Sequence, residues 1–176
     1  MISFFDLLKT RRSIRKYLPK PVEQEKIATI TKAALMSPAS KHSNPWEFVV
    51  VQEKEMLGKL ADCRQHGSQF LAESPLAIVV LADTTKSDVW MEDAAIASII
   101  MQLQAHDLGL GSCWIQVYGR QKEEQLSSES YIRSLLHIPI HFSVLNILSI
   151  GYPNETRNPY EDEKLAVEKV HYETYI

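Results

Sequence analysis

From Ser3 to Ser13 the apolar residues Phe4, Leu7 and Leu8 in "SFFDLLKTRRS" fall on one helical face, with Ser3 at the N-cap position and Arg11 and Arg12 gathered at the C-terminal end. After an extended "YLPKP", Val22, Ile27, Ile30, Ala34 and Leu35 keep the helical period through "PVEQEKIATITKAALMS". This predicts a second helix that starts at Pro21, which favours a first helical position, and ends before Pro38. The period then shortens. "WEFVVVQ" is a β-branched run and predicts a strand, "EKEMLGKLADC" a helix, and "LAIVVLAD" a strand buried on both faces. Between the last two, "RQHGSQFLAES" is polar and reads as a loop with a helical turn.

The longest helical signal is "DVWMEDAAIASIIMQLQAHDLGLG", in which Ala94, Ala95, Ala97, Ile99, Met101 and Leu103 leave few positions for water. It predicts a central helix, terminated by Gly109 or Gly111 and followed by a strand at "SCWIQVY". A further helix through "SESYIRSLLHI" is stopped by Pro139, and "FSVLNILSIGY" is a fourth strand. Beyond Pro153 the chain is polar, but its last residues, "HYETYI", carry aromatics that need a surface to cover them. A tail of this kind either wraps its own domain or clasps a partner.

Length and composition narrow the class. At 176 residues the chain fits one domain, residues 1–176, and a domain of that size buries roughly 70% of its unfolded surface, enough for a core without disulfide staples. A formal charge of −3 gives the molecule no overall preference for nucleic acid or an anionic membrane, so any anion it binds is expected to be small. The opening "MISFFDLLKT" carries Asp6 and only a short apolar run, neither a secretory leader nor a spanning helix, and the chain is read as cytoplasmic. Cys63 and Cys113 form no CxxC pair and are read as free buried thiols. In "HIPIH", Pro139 separates His137 from His141 and the glutamate of HExxH is missing, so no metal site is predicted.

Three segments carry candidate chemistry. Four of the six residues from Arg11 to Lys16 are cationic. Arginine presents a planar fork that matches phosphate oxygens, Ser13 adds a hydroxyl donor, and a bound anion would relieve the repulsion among Arg11, Arg12 and Arg15. Taken alone, a solvated basic face is the better account, since a helix C-terminus favours cations by about 0.3–1 kcal/mol. In "SPASKHSNPW" the small residues Pro38, Ala39 and Ser40 permit close approach of a flat ligand, and Asn44 offers an amide to a heterocycle edge. In "GLGSCWIQ" glycines flank a strand, but the spacing is not GxGxxG and the segment follows a helix, so it is no dinucleotide fingerprint.

In order along the chain, "RRSIRKY", "SPASKHSNPWEFVVV", "EDAAIASIIMQLQAHDLGLGSCWIQ", and "LSIGYP" with its "KVHYE" tail together resemble the nitroreductase family of FMN-dependent flavoproteins over nearly the whole length. The resemblance implies an α+β fold with a mixed central sheet flanked by helices. It also implies a homodimer with FMN at the subunit interface and a C-terminal tail extending over the partner subunit. Carried over by position, Arg11, Arg12 and Ser13 match residues that meet the FMN phosphate and ribityl chain, and Arg15 the basic residue near the pyrimidine edge, where it would favour the anionic reduced ring. Pro38, Ala39 and Ser40, with Asn44 where the family more often has glutamine, match the contribution of the other subunit. Trp114, Ile115 and Gln116 match the strand that passes the ring. Lys164 is the preferred late basic residue near the phosphate and Arg157 its rival, while Gln65 or Gln69 are weaker matches for a further amide.

The implied activity is ping-pong: NADH or NADPH gives hydride to flavin N5, and a nitroaromatic, quinone or similar conjugated acceptor then takes it from the same place. FMN carries that chemistry, so no side chain is named as acid, base or nucleophile. The alternative is a flavin-binding, storage or sensing module without turnover.

Overall fold

The computed structural model describes residues 3–175; Met1, Ile2 and Ile176, the ends of the expected domain, lie outside the described residues. The first helix, α1 (Phe4–Thr10), is capped as its sequence predicts, with Ser3 Oγ accepting from the Asp6 N–H at 3.1 Å. Helix α2 (Gln24–Leu35) begins later than Pro21. Its N-cap, Glu23, is extended, and the Glu23 carboxylate accepts from the Tyr152 hydroxyl at 2.7 and 2.9 Å, which keeps the preceding proline segment out of the helix.

Strand β1 (Trp46–Val51), α3 (Lys54–Ala61), β2 (Leu76–Asp83), α4 (Trp90–Asp107) and β3 (Gly111–Gln116) follow the predicted order. A small hairpin, β4 (Gln121–Glu123) with β5 (Leu126–Ser127), was not predicted; its strands are too short and polar to show a period. Helix α5 (Ser128–Leu136) and β6 (Phe142–Gly151) complete the elements that form the core.

The four long strands lie in the order β1-β2-β6-β3, and every ladder is antiparallel. The parallel component implied by a mixed sheet is one bridge, Ser13 to Ser112, where the segment after α1 joins the edge of β3. In β2, Leu76, Ile78, Val80 and Ala82 face a core shared with α2 and α4, whereas Ala77, Val79 and Leu81 face a second core with α3 and α5. This alternation, with a helical layer on each face, explains why β2 is apolar from Leu76 to Ala82. The register shifts at Val80/Leu81, and opposite it Leu145 and Asn146 both turn toward the α4 face, as a β-bulge requires.

Two glycines near the C-terminus of α4 have separate roles. Gly109, at φ +75°, ends the helix: its N–H bonds to His106 O and the Leu110 N–H to Ala105 O, both at 2.9 Å, a Schellman closure. Gly111 opens β3 instead, and a Cβ there would stand 2.7 Å from Ile14 Cβ. Ile14 can therefore lie flat on β3. Tyr17 anchors the same segment to β6 through its hydroxyl, 2.7 Å from Ser149 Oγ. Beyond β6 the chain runs back beside this segment, bridging Pro153 to Tyr17, and every residue from Thr156 to Tyr175 is exposed.

Candidate functional site

The segment Arg11–Tyr17 is held to the sheet at alternate points, and its arginines are what the attachment leaves outside. Ser13 bridges to Ser112, the Ile14 N–H donates to Ser112 O at 3.0 Å, and Ile14 and Tyr17 are buried. Arg11 and Arg12 remain half-buried and Arg15 is exposed. Together with Ser13, Arg157 and Tyr160 they line one polar cavity of about 170 Å³.

Glu155 and Arg157, one turn of the chain past Pro153, complete this cluster. One oxygen of the Glu155 carboxylate accepts from the Arg15 and Lys16 N–H groups at 2.6 and 3.2 Å, and the other meets Arg157 Nη2 at 2.7 Å. Burial alone would raise the Glu155 pKa, but these two backbone donors and Arg157 outweigh it and hold the carboxyl below its ordinary value. Arg12 donates to Asn158 O, and its guanidinium lies 4.5 Å from the centre of the Tyr160 ring. Four guanidinium groups therefore surround the cavity, and the Glu155 carboxylate offsets only one of them. A terminal phosphate, with about −1.5 to −2 charges and three acceptor oxygens, complements what remains.

Strand β3 leads away from this cavity. It is an edge strand, and Ser112 O points outward to Ile14, so by alternation the N–H and C=O groups of Trp114 and Gln116 also point away from β6. The Trp114 indole donates to Gln116 Oε1 at 2.8 Å, and the Gln116 amide donates to Tyr118 O at 3.0 Å, which fixes both side chains beside that edge. The Ile115 side chain is buried in the opposite core. Arg15, 6.0 Å from the centre of the Phe70 ring, stands between the cavity and the 3-10 turn Gln69–Glu73. An anion site beside open backbone donors suits a ligand with a phosphate at one end and a flat heterocycle at the other. The donor set thus fits FMN.

Other sequence-predicted residues lie elsewhere in the chain. Pro38, Ala39, Ser40 and Asn44 are on the loop between α2 and β1, and none lines the arginine cavity. That loop is tied to α4, where the buried Asp93 accepts from the Ser40 N–H at 2.8 Å and from Ser87 Oγ at 2.9 Å. Lys41, His42 and Asn44 all have positive φ, at 53°, 55° and 42°, a strained run for residues with side chains. Lys164 pairs with Glu161 at 2.8 Å and does not line the cavity, whereas Arg157 does. The Gln69 amide is turned back on its own loop, accepting from the Gly67 N–H at 2.9 Å.

Sequence reasoning missed Glu155 and Tyr160, which owe their places to the chain reversal at Pro153 and have no local signature. Cys113, beside Ser112, is a buried thiol whose pKa burial raises, and burial pushes that of Cys63 up to about 11; both are free. These values describe packed residues rather than reactive thiolates. No helix among the described residues is long and apolar enough to cross a membrane.

Residues 8–64 and 55–152 match the model of the Nitroreductase family. The solved structure "FMN-dependent Nitroreductase" from Clostridium difficile R20291 superposes with a TM-score of 0.97 at 50% identity, covering 98% of this chain and 100% of that one. Two archaeal proteins, each named "Putative NADH dehydrogenase/NAD(P)H nitroreductase", are similar throughout. The one from Archaeoglobus fulgidus is 37% identical over 96% of this chain and 97% of its own. That from Methanothermobacter thermautotrophicus is 36% identical over 93% and 86%.

Proposed function

The chain belongs to the nitroreductase family, and on that premise we propose that it is an NAD(P)H-dependent oxidoreductase that binds FMN and reduces nitroaromatic, quinone or similar conjugated acceptors. The observation that carries the reading is the arginine cavity at one end of the open edge of β3. Bound FMN would supply a ring able to accept a hydride and pass it on. The residues of the chain bind and tune. Arg11, Arg12, Ser13 and Arg157 hold the phosphate; Trp114 and Gln116 offer backbone N–H groups to the ring edge; Arg15 stabilises negative charge at the polar end of the ring. Ile115 contributes backbone only. Lys164 is left out of the phosphate site in favour of Arg157.

We take residues 1–176 as one domain acting as a homodimer. Two apolar clusters built on the same sheet support the single domain. Support for the dimer comes from uncovered apolar surface: α1 has no buried residue, and Phe4, Phe5, Met91, Ile96 and Ile99 are exposed on α1 and α4. The apolar residues of α4 spread around the helix rather than along one stripe, which leaves Met91, Ile96 and Ile99 in want of a partner. The exposed tail, with Val167, Tyr172 and Tyr175 at its end, has the composition of an arm laid over a neighbour. A second subunit would also bring Pro38, Ala39, Ser40 and Asn44 to a site they do not reach within their own chain.

The test is direct: identify the chromophore released from purified protein by acid, and measure mass by light scattering. FMN, one per subunit of a dimer, with NAD(P)H consumption driven by a quinone, is the expected result. Flavin that binds without turnover would instead support a storage or sensing module. A colourless protein that takes up no FMN would refute both.

A further inference from the structure

A second polar cavity, of about 210 Å³, is lined by Arg64, Gln65, His66, Arg120 and Gln121. Its residues come from the loop after α3 and from the turn after β3 with the first residue of β4. The first is pinned by the buried Ser68, whose hydroxyl donates to Ala61 O at 2.7 Å, and turns at Gly67, φ +86°. The second turns at Gly119, φ +69°, and is tied by the Arg120 N–H to Val117 O at 3.0 Å and the Ser128 N–H to Arg120 O at 2.9 Å.

The charge around this cavity is one-sided. Among the described residues Arg64, His66 and Arg120 have no ion pair with a carboxylate, and the neighbouring Asp62 is engaged by Lys122. In a chain of net charge −3, two guanidinium groups, an imidazole and two amides facing one cavity form an anion site without an internal anion. A phosphate monoester is the group that a pair of arginine forks matches best.

Both loops lead back to the flavin site proposed above. Arg120 is four residues beyond Gln116, at most about 14 Å along an extended chain. The Arg64–Gln69 loop runs directly into Phe70, whose ring lies beside Arg15. A dinucleotide with its nicotinamide against the ring beside β3 can therefore extend its adenosine end toward this cavity.

We propose that this cavity receives the 2′-phosphate of NADPH and makes the protein selective for NADPH over NADH. The inference rests on the oxidoreductase reading, since it assigns the reductant of that site. NADH carries a neutral hydroxyl at the same position and would leave the cationic groups without a partner.

The test uses FMN-loaded protein. Its kcat/KM should favour NADPH over NADH by about tenfold or more, the worth of one or two charge-assisted bonds. In the double variant Arg64→Gln with Arg120→Gln that ratio should fall at least about tenfold, with FMN content unchanged. Calorimetry with adenosine 2′,5′-bisphosphate and with adenosine 5′-monophosphate reads the site without turnover: the bisphosphate should bind more tightly, and the double variant should lose the difference. Equal use of both nucleotides, or equal binding of both adenosine phosphates, overturns the proposal. Loss of FMN from the double variant also overturns it, by assigning the cavity to the flavin. Preferential bisphosphate binding with no nucleotide oxidation would uphold the phosphate site and sink the oxidoreductase reading instead.

Discussion

Replacing Arg157 by alanine tests the site at its least obvious member. The Arg157 side chain is 46% exposed and shares its guanidinium with Glu155 at 2.7 Å, so a bound phosphate would have only part of its donor capacity. A charge-assisted hydrogen bond contributes about 1.5–3 kcal/mol, and partial exposure and sharing argue for the low end. About 1.5 kcal/mol corresponds to roughly a tenfold weaker FMN dissociation constant. Lys164, 73% exposed and paired with Glu161, should change that constant by less than about twofold when replaced by alanine. The assay is titration of flavin-free protein with FMN, followed by quenching of flavin fluorescence and repeated with riboflavin, which lacks the phosphate. Arg157→Ala should weaken FMN and leave riboflavin unchanged. Equal loss for the two flavins, or a larger effect from Lys164→Ala, would refute the assignment.

Gly111→Ala should lower the midpoint of thermal unfolding, because the new methyl meets Ile14 at 2.7 Å and overpacking of this kind costs about 1–3 kcal/mol. Glu155→Gln should flatten the acid limb of stability. Since the Glu155 pKa is lowered in the folded state, its contribution is complete above the unfolded value of about 4.3 and is lost as pH falls through the lower folded value. Urea midpoints measured across that range for both proteins check the sign. If the proposed dimer forms through α4, Ile99→Glu on its exposed face should give a monomer in light scattering while leaving the far-ultraviolet circular dichroism unchanged.

Most of the architecture was legible because it rests on local period. β2 is an unbroken apolar run from Leu76 to Ala82 because helices cover both its faces, and α4 ends at Gly109 because that residue alone closes the helix with positive φ. The cationic run from Arg11 was equally plain, but its use was not, since a solvated basic face has the same sequence. What escaped was what depends on chain reversal. Glu155 and Tyr160 went unnoticed, and Arg157 ranked behind Lys164, because they sit more than 130 positions from Arg15 and are brought to it by contacts such as the bridge of Tyr17 to Pro153 and the bond from the Asn154 N–H to Lys16 O. The late start of α2 has a similar origin, in the contact of Glu23 with Tyr152. Two cationic loops around Arg64 and Arg120 likewise show no pattern until the fold pairs them.

The central claim is that reducing equivalents from a nicotinamide nucleotide reach a flavin held at the arginine cavity. The most direct measurement is an absorbance spectrum of the FMN-loaded protein, taken without air before and after adding NADH and then NADPH, and again after adding a quinone. The oxidised flavin band should bleach with the nucleotide and return with the quinone. A band that persists with both nucleotides would contradict it.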